Sequence, residues 1–397
     1  MRVSTSGSYQ RGLSMMQQIQ AALDRTQRQI SSGRRILTPS EDPISAGRVL
    51  EMKEVLSRLT QFDRNGQIAK NRLGLEESVL KNVGDVLQRV RELGVQAANA
   101  TQSNESRALI AIEMREHLDH LVELANQKDG NGRYLFAGNM DGTAPVNRSG
   151  STFTYNGDQG RRLIQIGETR RIADGDPGAD IFFRIRDGNG AFAIAAAGAN
   201  IGNGVTGAGS VTDPTLYDQD TYTVTFLDPA NYEVRDSSAA LVTSGTFQPG
   251  DMLAFRGIEF AIDGQPAASD SFTVSPSRFR NVFAMVSDLA AAVSATVSDD
   301  ASRAALQNGI NTGLLDMDQA LGNLLDVRTQ IGSRLAAIDT QEDHNGAFAL
   351  TLQSTIAELE DLDYAEAISR LSLQASTLEA AQQTFIRTPS LSLFNYF

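Results

Sequence analysis

The chain has 397 residues, a formal net charge of −13, no cysteine and no tryptophan. The acidic balance argues against a general nucleic-acid binder, which needs a basic stripe to meet phosphates, and the missing cysteine excludes disulfides, thiolate nucleophiles, Fe–S clusters and cysteine-ligated zinc. Sparse aromatics beside abundant Ala, Gln, Ser and Leu suit long helices packed side by side, and the length allows two or three domains.

The amino-terminal stretch "MRVSTSGSYQRGLSMMQQIQ" lacks the apolar region of a secretory signal, and no apolar run approaches the ~20 residues that span a bilayer. The expectation is a chain without membrane insertion that is either cytoplasmic or leaves by a route needing no cleaved signal. Freedom from cysteine suits passage in an unfolded state. Leu13, Met16, Leu23 and Ile30 then recur at alternating three- and four-residue steps, with Gln20 and Gln27 in the gaps, which predicts an amphipathic helix. Ser31-Ser32-Gly33 is a helix stop, with Gly33 free to adopt positive φ. Ser40 or Asp42 can cap the next helix, and Pro43 suits its first position, where a missing N–H costs nothing. Gly33, Asp42 and Pro43 thus mark a joint between a short terminal helical layer and a long inner one.

Beyond the joint, Leu73, Leu80, Val83, Leu87, Val90 and Ala97 keep the helical rhythm, with Glu76 and Gly94 in the remaining slots. After the break "ANATQSNES", Ile110, Met114, Leu118, Leu121 and Ala125 predict a third helix. Between about residues 139 and 276 the period changes to two. "FRIRDGNGAFAI", "TYTVTF", "NYEVRD", "GDMLAFRGIEFAID" and "DSFTVSP" read as short strands, with "RDGNG" as a hairpin tip and "AAAGANIGNGVTGAGS" as a small-residue loop. Helical period returns in Leu306, Ile310, Met317, Leu321, Leu324, Ile331, Leu335 and Ile338. It continues in Tyr364, Ile368, Leu371, Ala375, Leu378 and Phe385.

Stripes this narrow need partners, and the simplest partner for the first block is the last. The expected fold class is mainly α with an inserted all-β domain: a long antiparallel helical rod or coiled coil built from both termini, with a β-sandwich-like insert. About 55 residues at 1.5 Å each make a rod of roughly 80 Å. The expected domains are 1–42 with 355–397 (terminal, tube-forming), 43–138 with 277–354 (helical rod) and 139–276 (outer, β-rich).

Little in the chain points to catalysis. Glu113, His117 and His120 lie within two turns of one helix and could present metal ligands, but no fourth ligand is near, and polar positions on an amphipathic helix explain them. His344, in "QEDHNGAF", falls in a polar stretch expected to be a surface turn. "DGNG" at Asp129 and Asp187 lacks the acidic spacing of a calcium loop and reads as a tight turn. The Gly-rich 198–209 stretch lacks a P-loop lysine, and no nucleophile elbow occurs. No cofactor and no enzyme activity are expected. The unsatisfied stripes point instead to head-to-tail assembly into tubes or filaments, and the apolar "TPSLSLFNYF" (Leu391, Leu393, Phe394, Tyr396, Phe397) either folds back into the rod or meets another subunit.

Four stretches carry a resemblance: "MRVSTSGSYQ", the joint "ISSGRRILTPSEDPISA", "GRYLFAG" (Gly132–Gly138) and "DYAEAISRLSLQASTLEAAQQTF". In this order they resemble the flagellin family, over roughly residues 1–140 and 280–397. The joint is similar to that family's Ser-Ser-Gly-x-Arg-Ile followed by an acidic pair, here Ser31 to Ile36 and Glu41-Asp42. The start, Pro43, "GRYLFAG" and "SLSLFNYF" look more like the hook–filament junction branch than like filament-forming flagellins; Glu41 stands where that branch often has Asp. The resemblance implies a structural adaptor in a ring of its own copies, between the first hook-associated protein on the hook side and flagellin on the filament side. It implies unfolded passage through the flagellar type III export apparatus with an export chaperone, an extracellular place in the flagellum, and an outward β domain. Terminal regions in this family commonly order on assembly. Carried over, the tube-forming stripes are Leu13, Met16, Leu23 and Ile30 with Ile368, Leu371, Leu378 and Phe385. A filament-forming flagellin is the alternative. From another class, the β domain could be an adhesin or carbohydrate-binding module on a helical stalk, although no aromatic platform favours it.

Overall fold

The computed structural model of the chain describes residues 5–387, so the apolar stretch from Leu391 to Phe397 lies outside the described residues. Three helices open the chain, α1 (Thr5–Ser32), α2 (Pro43–Ala97) and α3 (Asn104–Ala125). Short strands follow, from β1 (Val146–Ser149) to β15 (Phe279–Arg280), and then α4 (Val282–Val293), α5 (Asp300–Glu360) and α6 (Tyr364–Arg387). The architecture is mainly α with an antiparallel all-β insert, as expected from the periodicities. Contacts divide the chain into two compact units, one of residues up to Arg64 with those from Thr340 onward, the other Asn65–Asp339.

In the unit Asn65–Asp339 the predicted stripes cover one another. Leu73, Leu80, Val83, Leu87 and Val90 of α2 share a dry core with Ile110, Met114, Leu118 and Leu121 of α3 and with Ile310, Met317, Leu324, Ile331 and Ile338 of α5. Full burial of such a side chain contributes about 1.5–3 kcal/mol. Gly94, the small residue in the α2 stripe, lets α5 approach: a Cβ there would stand 3.1 Å from Leu314 Cδ2. The break after α2 ends at Ser103, whose side chain caps α3 by accepting from Ser106 N at 3.2 Å. Helix α4 was not foreseen; it is short and apolar on nearly every side, so no helical rhythm separates it from the strands before it.

Five antiparallel strands form one sheet in the order β11 (Leu241–Thr246), β10 (Asn231–Arg235), β9 (Tyr222–Asp228), β14 (Ser271–Pro276), β6 (Phe192–Ala196). A second sheet holds β12 (Met252–Phe255), β13 (Ile258–Asp263), β7 (Val205–Thr206) and β8 (Ser210–Val211). Alternate residues of both sheets, Tyr222, Val224 and Phe226 against Ile258, Phe260 and Ile262, meet in a single core, which makes a sandwich. Two details differ from the sequence reading. "RDGNG" is a tight turn but not a hairpin tip, because β5 (Ile185–Arg186) before it pairs with β15 whereas β6 after it pairs with β14. The stretch 139–276 also feeds both cores: Val146, Phe153, Ile166 and Ile172, on or beside the hairpins β1–β2 (Thr152–Tyr155) and β3–β4 (Leu163–Gln165, Arg171–Ala173), join the helical core.

Polar side chains of α5 hold the sandwich. Asn308 accepts from Thr206 N at 2.8 Å and donates to Gly204 O at 2.9 Å, and Asn311 donates to Thr206 O at 3.1 Å. Asp316 accepts from Gly188 N and from Arg280, both at 2.9 Å. Burial pushes the Asp316 carboxyl up to about 6.

Glu76, which interrupts the α2 stripe, is only 1 % exposed. It accepts from Asp176 N at 3.1 Å inside a nest where Arg334 and Arg161 pair with Asp176, and Arg162 and Arg72 pair with Asp174. Desolvation, and then the neighbouring Asp176 charge, push the Glu76 carboxyl up to about 8. A folded-state pKa above the unfolded value means that the folded chain holds the extra proton. The contribution is therefore complete below the ordinary pKa near 4.5 and is lost as pH rises through about 8. Asp316 acts in the same direction but is spent by about pH 6. Glu76→Gln should therefore abolish its share of the fall in stability from about pH 4.5 to 8, flattening the curve above about pH 6 and leaving below it only the part due to Asp316, as read from urea midpoints across that range.

Candidate assembly interface

The unit formed by the two ends of the chain is built differently. Helices α1 and α6 run antiparallel. Tyr9 and Phe385 pack with ring centroids 4.5 Å apart at one end, and Gly33 lies against Tyr364 at the other. Gly12 admits the Phe385 ring, since a Cβ there would stand 3.1 Å from it. None of the eight predicted stripe positions is buried: Leu13 is 43 % and Ile368 53 % exposed, and Met16, Leu23, Ile30, Leu371, Leu378 and Phe385 are half-buried. The buried positions are Thr26, Gln29 and Ala367. A pair of helices leaves its flanks open, so roughly half of the 1.5–3 kcal/mol available to each stripe residue goes unrealised.

The joint is more elaborate than the sequence suggested. Gly33 takes φ +69° and its N–H closes on Gln29 O at 2.9 Å, ending α1. Asp42, rather than Ser40, caps α2: its side chain accepts from Ser45 N at 3.0 Å, and Pro43 is the first helical residue. Hydrogen bonds from Ser45 hold the Asp42 carboxyl below the usual carboxylate range. Glu41 ties the linker by accepting from Leu37 N at 2.9 Å and pairing with Arg25 at 3.1 Å. The part that sequence reasoning missed is the second break, between α5 and α6. Arg35 N donates to Glu360 O at 2.7 Å and Leu362 N donates to Gly33 O at 3.0 Å, so the two linkers form a miniature antiparallel ladder. Glu360 pairs with Lys53 at 2.6 Å and Arg34 at 3.2 Å, and Gln29 donates to Arg35 O at 2.6 Å. Asp363, which caps α6 by accepting from Ala365 N and Glu366 N, was the sequence signal that could have marked this break.

Other candidates resolve without chemistry. Arg89 claims Glu113 at 2.7 Å, His117 stands 3.8 Å from Glu113, and His120 stands 3.5 Å from Glu123. Among the described residues no group of three acidic, His or Cys side chains could hold a metal ion. His344 is not in a turn, because α5 runs unbroken through it. Asn345, buried in that polar stretch, accepts from Gln341 and donates to Asp63 Oδ1 at 3.1 Å, which supports the helix where hydropathy falls.

Substituting Gly33 tests the joint. Alanine in the left-handed region costs roughly 1–2 kcal/mol, and its Cβ would stand 3.0 Å from the Tyr364 hydroxyl. Gly33→Ala should therefore speed hydrogen exchange at the Arg35 and Leu362 amides by about tenfold, with the core amides of residues 69–93 unchanged.

The chain has relatives among known proteins. The model of the bacterial flagellin N-terminal helical region matches residues 3–141. Flagellar hook-associated protein 3 of Salmonella typhimurium is 27% identical over 99% of both chains. The crystal structure of Xanthomonas campestris FlgL superposes with a TM-score of 0.73 at 35% identity, covering 77% of this chain and 99% of that one. The flagellar junction protein FlgL of Legionella pneumophila gives 0.73 at 30% identity, covering 79% and 100%. The chain therefore belongs to the flagellar hook-associated protein 3 family, FlgL, and its amino-terminal helical region is of the flagellin kind.

Proposed function

We propose that this chain is the structural adaptor between the flagellar hook and the flagellin filament, a non-catalytic subunit that works outside the cell as part of the flagellum. The observation that carries the reading is the contrast between the two units. One has a closed core, whereas α1 and α6 leave all eight stripe positions only partly covered. Such a surface gains its remaining stabilisation when further helices cover it, which neighbouring subunits of a tube supply. Copies of this chain would close a ring, with the first hook-associated protein on one side and flagellin on the other. Unfolded export with a chaperone fits a chain without cysteine. The relatives' names, hook-associated protein 3 and flagellar junction protein, support the same place.

The test is electron microscopy of a deletion strain, with flagellin assayed in the medium. Bare hooks with flagellin released are expected. Bare hooks with no flagellin anywhere would make this chain the filament subunit instead, and normal flagella would remove both readings. A finer test is Leu371→Asp with Leu378→Asp. At half-exposed positions these changes should alter the stability of the unit Asn65–Asp339 by less than about 0.5 kcal/mol, yet abolish incorporation into the flagellum. Normal filaments on that variant would show that the stripe is not the interface.

A further inference from the structure

Beside the joint lies a groove of about 420 Å³, floored by Ile36, Leu37, Pro39, Pro43, Val49 and Leu50. Its volume falls within the range of ligand sites, about 300–1,000 Å³. Lys53 and Arg34 at its edge share the single carboxylate of Glu360, so an apolar floor is bordered by a rim with one positive charge in excess. Leu50 is 65 % exposed although Val49, beside it, is buried. A wide apolar floor left open this way marks a contact site for an apolar chain segment.

The sequence holds a segment of matching chemistry. Residues 388–397, "TPSLSLFNYF", contain no charged side chain and place Leu391 and Leu393 two residues apart, on one side of an extended chain. The tail of the same chain does not suit the groove. Tyr364 is at the joint and Phe385 is at the far end of α1, so α6 carries the chain roughly 35 Å away along its 24 residues. The ten residues that follow Arg387 reach at most about 35 Å when fully extended. They would be taut on arrival, with no residue left to lie in the groove.

We propose that the groove beside the joint receives residues 388–397 of a second copy of this chain. The proposal rests on the assembly reading above, but its test does not need a flagellum. Because the chain has no cysteine, two introduced thiols report one contact. Purified full-length Leu50→Cys chain is mixed with full-length Phe394→Cys chain and oxidised. The expected product is a disulfide-linked heterodimer, formed at least about tenfold faster than with Ile201→Cys, a 73 % exposed position on the β insert that controls for random collision. Adding the peptide TPSLSLFNYF in excess should suppress it. Equal rates at Leu50 and Ile201, or no suppression by the peptide, would overturn the proposal. So would a double variant, Leu50→Cys with Phe394→Cys, that closes within a single chain at high dilution, since the tail would then be serving its own groove. Leu50 is exposed, so its replacement does not threaten folding, and circular dichroism of each variant confirms this. If the deletion strain showed normal flagella while the cross-link formed, the adaptor reading would fall and the tail contact would stand.

Discussion

The half-covered contact between α1 and α6 is the constraint on which the rest of the molecule's behaviour depends. Eight apolar positions at helical spacing are only partly covered where α1 and α6 pack on each other, and a helix of this composition has little stability of its own. What fixes the pair locally is the joint, not the stripe: backbone hydrogen bonds between the two linkers, the Glu360 ion pairs and the Gly33 stop. The arrangement ties the inner ends of both terminal helices together while leaving their apolar flanks partly uncovered.

The unit Asn65–Asp339 follows the opposite logic. Its apolar stripes are mostly buried, its sandwich is tied to α5 by buried Asn and Asp side chains, and Glu76, which interrupts the α2 stripe, is absorbed by a nest of arginines and aspartates. Arginine suits that nest because its guanidinium can serve two carboxylates at once, as Arg72 does for Asp129 and Asp174. Buried ion pairs contribute modestly to stability but penalise any packing that leaves one partner alone. They fix how the hairpins sit on the helices.

Much of this was legible in the sequence. Period 3.6 located the long helices and period two located the sandwich, because each element buries one face along its length. The Gly33 stop and the Pro43 start were readable because backbone chemistry at helix ends is local. What escaped reading depends on partners distant in the chain. The ladder between the linkers joins residues more than three hundred positions apart. Thr26 and Gln29, not the apolar stripe, turned out to face inward on α1, since Gln29 reaches the joint. Helix α4 hid because it is buried on most sides, and His344 misled because an unbroken helix can cross a polar stretch when Asn345 finds a partner in Asp63. The candidate interface was visible as unsatisfied stripes; how far they stay uncovered was not.

The most direct measurement is hydrogen exchange of α1 and α6 in the purified free chain and in chains isolated within flagella. The account predicts that these amides exchange several orders of magnitude faster than residues 69–93 in the free chain, and become protected on assembly. Protection in the free chain equal to that of residues 69–93, unchanged in the flagellum, would show that the terminal pair is already complete and would contradict the assembly interface.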